Sequence, residues 1–291
     1  MFMYGIFDNS VISLYNPAGA DIDIRGCFLM GKIVSTFQDI FRLINLGNLG
    51  TAIRDPSEVR TALRGLRSRY RWRTMDFEAE RRARPSRLAE FLGCSVEQIR
   101  AYEDEIQTDT EFQSVYRDRY ENLEEADALR GTTGRLDATT LYVICRVREP
   151  DVVVETGVLF GSFDAYILRA LDRNGHGQLH SIDLPEQPAS FENGYLIPPE
   201  LRSRWDLRLG DVHDVLPDLL AGVGPLDLFL HDSLHEAKHM RWEYEQALGH
   251  LHPEGILATH DVFRHDAFAS VTGDAKMVKT EIGGVGVARR Y

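Results

Sequence analysis

A change of rhythm near residue 134 constrains this chain most. Beyond it, short β-branched apolar runs alternate with stretches long enough for helices, the pattern of βαβ units building a parallel sheet. The runs are Asp151 to Glu155, Gln178 to Asp183, Trp205 to Gly210, Leu226 to His231 and Gly255 to Thr259. Two further runs, Met277 to Ile282 and Val285 to Arg290, flank Gly283 and Gly284, which is a two-residue hairpin signal. An α/β domain is expected over residues 134–291: a Rossmann-like parallel sheet finished by an antiparallel hairpin.

Residues 1–133 read as a mostly helical region that covers an acceptor or makes an oligomer contact. Ile33, Phe37, Ile40, Phe41 and Ile44 form an apolar stripe at helical spacing, for which core packing is the commoner role than a membrane surface. Helix starts are signalled by Asp55 with Pro56 and Glu58, by Ser95 with Gln98 and by Thr108 with Glu111. The segment before Met30 has no clear period, and Met30 itself is a second candidate start.

Net charge is -12, which repels phosphate backbones and argues against nucleic acid as a partner. Cys27, Cys94 and Cys145 are far apart and form no C-x-x-C pair, so a reducing cytoplasm is expected. The apolar stretch Gly26 to Leu46 contains Lys32, Asp39 and Arg42, too polar for a spanning helix, and no transmembrane segment is expected.

In open α/β sheets ligands bind beyond the carboxyl ends of the strands. Five acids gather there: Glu155, Asp183, Asp211, Asp232 and Asp261. Any one of them could be a helix cap. All ten histidines also fall between His176 and His265, in the same half. Around the first strand end, Gly157 and Gly161 follow Glu155 in a turn that leads into a helix. The turn is looser than the G-x-G-x-x-G that cradles a dinucleotide, which argues against a nicotinamide-dependent oxidoreductase.

This E-x-G-x-x-x-G turn resembles that of the class I S-adenosylmethionine-dependent methyltransferases. The resemblance implies that S-adenosyl-L-methionine is the cofactor, with Glu155, Gly157 and Gly161 at its methionine end. Asp183, 28 residues after Glu155, matches the acid that binds the ribose hydroxyls, and Asp211 in Gly210-Asp211-Val212-His213-Asp214 matches the segment beside the adenine. The terminal hairpin also belongs to that family's sheet.

Asp232-Ser233-Leu234-His235 more narrowly resembles the metal-dependent O-methyltransferases of the catechol type and their relatives that tailor antibiotic sugars and cephalosporins. The resemblance implies a hydroxyl of a small molecule or sugar as acceptor. Asp232, placed in the cofactor site, would also bind a divalent metal (Mg or Mn), and His235 would act as general base. His260 and Asp261 occupy the place of the acidic or amide pair that completes the metal site, and His260 departs from it because imidazole suits magnesium poorly. A metal-free site using His235 alone, and a non-catalytic cofactor-binding protein, are the alternatives. His231, His239 and His260 also have the reading of hydrogen-bonded structural residues. Pro185 to Pro199 reads as a long loop of the kind that forms a lid.

Overall fold

The computed structural model describes residues 76–125, 134–185, 191–264 and 266–290. The stripe at 33 to 44, the start at Asp55 and Cys27 lie outside the described residues. Three helices come first: α1 (Phe77–Leu92), α2 (Val96–Thr108) and α3 (Thr110–Glu125). Asp76 caps α1 by accepting from the amides of Glu78 and Ala79, both at 3.0 Å. Ser95 caps α2 through the amide of Gln98 at 3.1 Å, as its spacing predicts.

The expected cap at Thr108 is one residue off. Thr108 ends α2 and turns its hydroxyl back to the carbonyl of Asp104, while Asp109 accepts from the amide of Phe112 at 3.2 Å and so starts α3. Asp109 outcompetes a hydroxyl because Arg169 and Arg173 fix its carboxylate at 2.7 and 2.9 Å.

The sheet follows: α4 (Arg135–Arg148), β1 (Val152–Thr156), α5 (Ser162–Asn174), β2 (Gln178–Asp183), a short 3-10 helix (Pro199–Arg204), β3 (Trp205–Leu209), α6 (Val212–Val223), β4 (Leu226–His231), α7 (Ala237–His250), β5 (Leu251–Thr259), α8 (Ala267–Asp274), β6 (Val278–Ile282) and β7 (Val285–Arg289). The strand order is β3-β2-β1-β4-β5-β7-β6. β1 to β5 pair in parallel, and β7 lies antiparallel between β5 and β6. β5 starts earlier than its sequence signal, at Leu251, across a register shift opposite Leu226 and Leu228.

Strand alternation sorts side chains into two cores. Val153, Leu228, Leu230, Ile256 and Val287 face a core shared with Leu88, Ile99, Phe112, Leu141 and Tyr166, so α1 to α5 and this sheet face bury one apolar mass. Val154, Phe229, Leu257 and Ala288 face the opposite core with Leu219, Tyr244 and Phe268 from α6, α7 and α8. Burial on both faces is why these strands read as near-continuous apolar runs. The chain's strand order reverses between β1 and β4, which opens a crevice at their carboxyl ends.

Candidate active site

Glu155, the next-to-last residue of β1, has 1% of its surface exposed, and the chain then turns through Gly157 at φ 86°, Leu159 at φ 49° and Gly161 at φ 79°. A Cβ on Gly157 would collide with the backbone carbonyl of Asp232, and it would lie 2.7 Å from the amide nitrogen of Ser233. Glycine is needed here because the β1 turn touches the β4 end. Gly161 is pressed instead against Gly194 and Ile197, so its role is to seat the 191–197 loop.

Asp183, at the end of β2, ties this turn down. Its Oδ2 accepts from the amides of Val158 at 3.1 Å and Leu159 at 2.7 Å, and from Asn193 Nδ2 at 3.0 Å. The described part of the 185–199 loop is docked: Gly194 donates to the Leu159 carbonyl, Leu196 donates to that of Phe160, and Phe191 and Tyr195 pack at 4.6 Å. Residues 191–197 therefore brace the β1 turn from behind, through Leu159, Phe160 and Asp183. Asp211 caps α6, accepting from the amide of His213 at 2.8 Å.

A cleft of about 740 Å³ opens over these strand ends. It brings together Glu155, Gly157, Asp183, Asp211, Asp232, His235, His260 and Asp261; of the residues expected from sequence, Gly161 alone does not line it. The cleft fits the expected cofactor, because the Glu155 carboxyl lines it and no donor reaches Glu155 Oε2, so that a ligand's cationic group would balance it.

On the β4 and β5 side, His235 Nε2 lies 3.6 Å from Asp232 Oδ1 and 3.9 Å from Asp261 Oδ2. Burial pushes the His235 imidazole down to about 4, against the pull of Asp232 and Asp261, so it is neutral near pH 7. His260 is the reverse case. Burial opposes its charge, but Asp232, bonded to Nδ1 at 2.9 Å, and Asp137, 3.6 Å from Nε2, hold its pKa well above the ordinary value.

Donor atoms of Asp232, His235 and His260 all lie within 4.8 Å of one another. This set nonetheless fits a divalent cation poorly. Both His260 nitrogens face carboxylates and are engaged as donors, and the Asp261 carboxylate is taken by the guanidinium of Arg264. Asp261 itself stands at φ 50°, a strained conformation for a residue with a side chain.

Behind the cleft, Glu243 on α7 binds His231, His239, Ser233 and Thr156. Burial raises its pKa, but the two imidazoles and the Ser233 hydroxyl outweigh that and hold it well below the usual carboxylate range. His231 and His239 thus have structural partners. The sequence reading missed Glu243, Asp137 and Asp164. Only Glu243 carried a local signal, four residues after His239 on one helix face.

Strand order, terminal hairpin and a cleft at the β1/β4 reversal define a class I methyltransferase fold. Residues 154–262 match a family model described as a methyltransferase domain. Solved structures with similar folds include the O-methyltransferase from Bacillus cereus in complex with SAH, at 13% identity, covering 61% of this chain and 91% of that one, with a TM-score of 0.48. The O-methyltransferase TomG from Streptomyces achromogenes, involved in tomaymycin synthesis and bound to SAM, is 16% identical over 60% of this chain and 89% of its own, with a TM-score of 0.49. A methyltransferase from Geobacter sulfurreducens is 19% identical over 61% and 88%, with a TM-score of 0.47. No curated protein matches the chain.

Proposed function

We propose that the protein O-methylates a hydroxyl of a small molecule or sugar, with His235 as general base and without a resident metal. The observation that carries this reading is the neutral, mostly buried His235 imidazole at the cleft wall between Asp232 and Asp261. When bound, the cofactor supplies an electrophilic methyl on a sulfonium. His235 would take the acceptor's hydroxyl proton as the oxygen is methylated, and the cleft walls would hold the acceptor in line with the methyl. Asp232 and Asp261 flank the ring and favour the imidazolium that results.

Glu155 and the Gly157 turn hold the methionine end, Asp183 the ribose side and the Asp211 segment the adenine. We assign the cofactor to residues 134–291; of the region before it, 1–133, the described helices α1 to α3 share one core with α4 and α5. Among the described residues no helix is long and apolar enough to cross a membrane, and we place the enzyme in the cytoplasm.

Calorimetric titration of chelator-treated protein with S-adenosylhomocysteine, and separately with NAD, tests the cofactor assignment. Heat with the first ligand alone is expected. Heat with NAD alone, or with neither, overturns the reading.

A further inference from the structure

Glu155 meets a second buried carboxyl that the cofactor motif does not include. Asp164, in the first turn of α5, has no exposed surface. Its Oδ1 accepts the Ser181 hydroxyl proton at 2.8 Å, and the Ser181 oxygen accepts from Trp205 Nε1 at 3.0 Å. Asp164 Oδ2 and Glu155 Oε2 are both buried with no hydrogen-bond partner, although the two carboxyls are within hydrogen-bonding reach of each other. Two ionised carboxylates offer only acceptors, so contact between them requires a proton.

No basic side chain pairs with either group among the described residues. The groups acting on Glu155 are Asp164 from α5, Asp183 from β2, Asp232 from β4 and the Cys145 thiol from α4, with Ser181 its register partner on β2. Asp183 is occupied by amides of the glycine turn and Asp232 by His260, which leaves the Glu155 and Asp164 pair as the unbalanced negative centre. Burial raises both carboxyls; Asp164 raises Glu155 further, while the hydrogen bond to Glu155 pulls Asp164 back down, so the pair keeps one proton at neutral pH.

We propose that Glu155 and Asp164 share one proton in the cofactor-free protein and release it to solvent when the ammonium of the cofactor's methionine end docks against Glu155. Asp164 is then a positioning residue of the cofactor pocket. The proposal rests on the S-adenosylmethionine reading of the cleft. The ammonium replaces the shared proton as the positive partner, and because binding releases a proton, affinity rises with pH by up to about tenfold per unit while the pair is protonated.

Two measurements test this. The infrared spectrum of the cofactor-free protein at pH 7 should contain a protonated-carboxyl band that Asp164→Asn removes, since the new amide donates to an ionised Glu155. Titration with S-adenosylhomocysteine in phosphate and in Tris should give binding heats that differ by close to one proton's worth of buffer ionisation, and Asp164→Asn should shrink that difference towards zero. A wild-type spectrum with no such band, or heats equal in the two buffers, overturns the proposal without use of any variant. Protein that shows the band but gives no heat with S-adenosylhomocysteine overturns the cofactor reading itself, a separate failure.

Discussion

Asp137 Oδ2 lies 3.6 Å from His260 Nε2 while Asp137 Oδ1 accepts the Gly284 amide at 3.2 Å, so one carboxylate on α4 braces both the β5 end and the terminal hairpin. Gly283 leaves room for it, since a Cβ there would strike Asp137 Oδ1. Asp137→Asn should therefore destabilise the fold by about 2 kcal/mol. The His260 pKa is raised in the folded state, so its contribution is fully present below the unfolded value of about 6.5 and is lost as pH rises through the folded value. The stability gap between wild type and variant, read from urea midpoints, should be widest below pH 6 and narrow at alkaline pH. A gap constant with pH would place the effect in the hairpin contact alone.

His235→Ala should lower turnover about 100- to 10,000-fold while S-adenosylhomocysteine affinity stays within a few-fold. Burial holds the wild-type ring at about 4, so the base is available throughout the neutral range and its loss belongs to acid pH. The acid limb of the pH-rate profile should fall near that value. A limb near 6.5 would indicate that the ring is solvated during turnover.

Much of this arrangement was legible in the sequence. Gln178 to Asp183 and Leu226 to His231 have the strand limits their runs predicted. The five strand-end acids also met at one cleft, since strand register fixes where each run stops. Their division of labour was not legible. Asp261 belongs to Arg264, and His260 stands between Asp232 and Asp137, the second of which is far from it in sequence and joined only by packing of α4 beside the hairpin tip.

Chelation should leave the protein unaffected, in S-adenosylhomocysteine binding and in turnover alike, because Arg264 holds Asp261 and two carboxylates hold His260. Adding magnesium or manganese to the chelated protein should produce no binding heat. Metal-dependent heat that Asp232→Asn abolishes would mean that a cation displaces the His260 proton from Asp232.

Asp109 joins the start of α3 to α5 through Arg169 and Arg173. Burial raises its pKa, yet the two guanidinium bonds and the Phe112 amide hold the carboxyl down at about 2. A depressed carboxylate contributes stability that is present above the unfolded value of about 3.9 and lost as pH falls through the folded one. Asp109→Ala should cost about 3 kcal/mol at pH 7, with the difference from wild type vanishing towards pH 2. Equal thermal midpoints at pH 7 would show the pair to be dispensable.

Gly157 and Gly249 make a matched test of whether the β1 turn is defined by its contact with β4. Gly157→Ala must place a side chain at φ 86° and drive its Cβ into the Asp232 carbonyl, so it should lose about 2 kcal/mol or more and shift Asp232 and Ser233 out of line. Gly249 lies in α7 with nothing within 4 Å of an added Cβ, and alanine there should stabilise by about 0.5–1 kcal/mol. S-adenosylhomocysteine affinity should fall only in the first variant. If Gly157→Ala binds as tightly as Gly249→Ala, the turn can yield without disturbing the cleft, and the close approach of β1 to β4 is not what shapes the cofactor site.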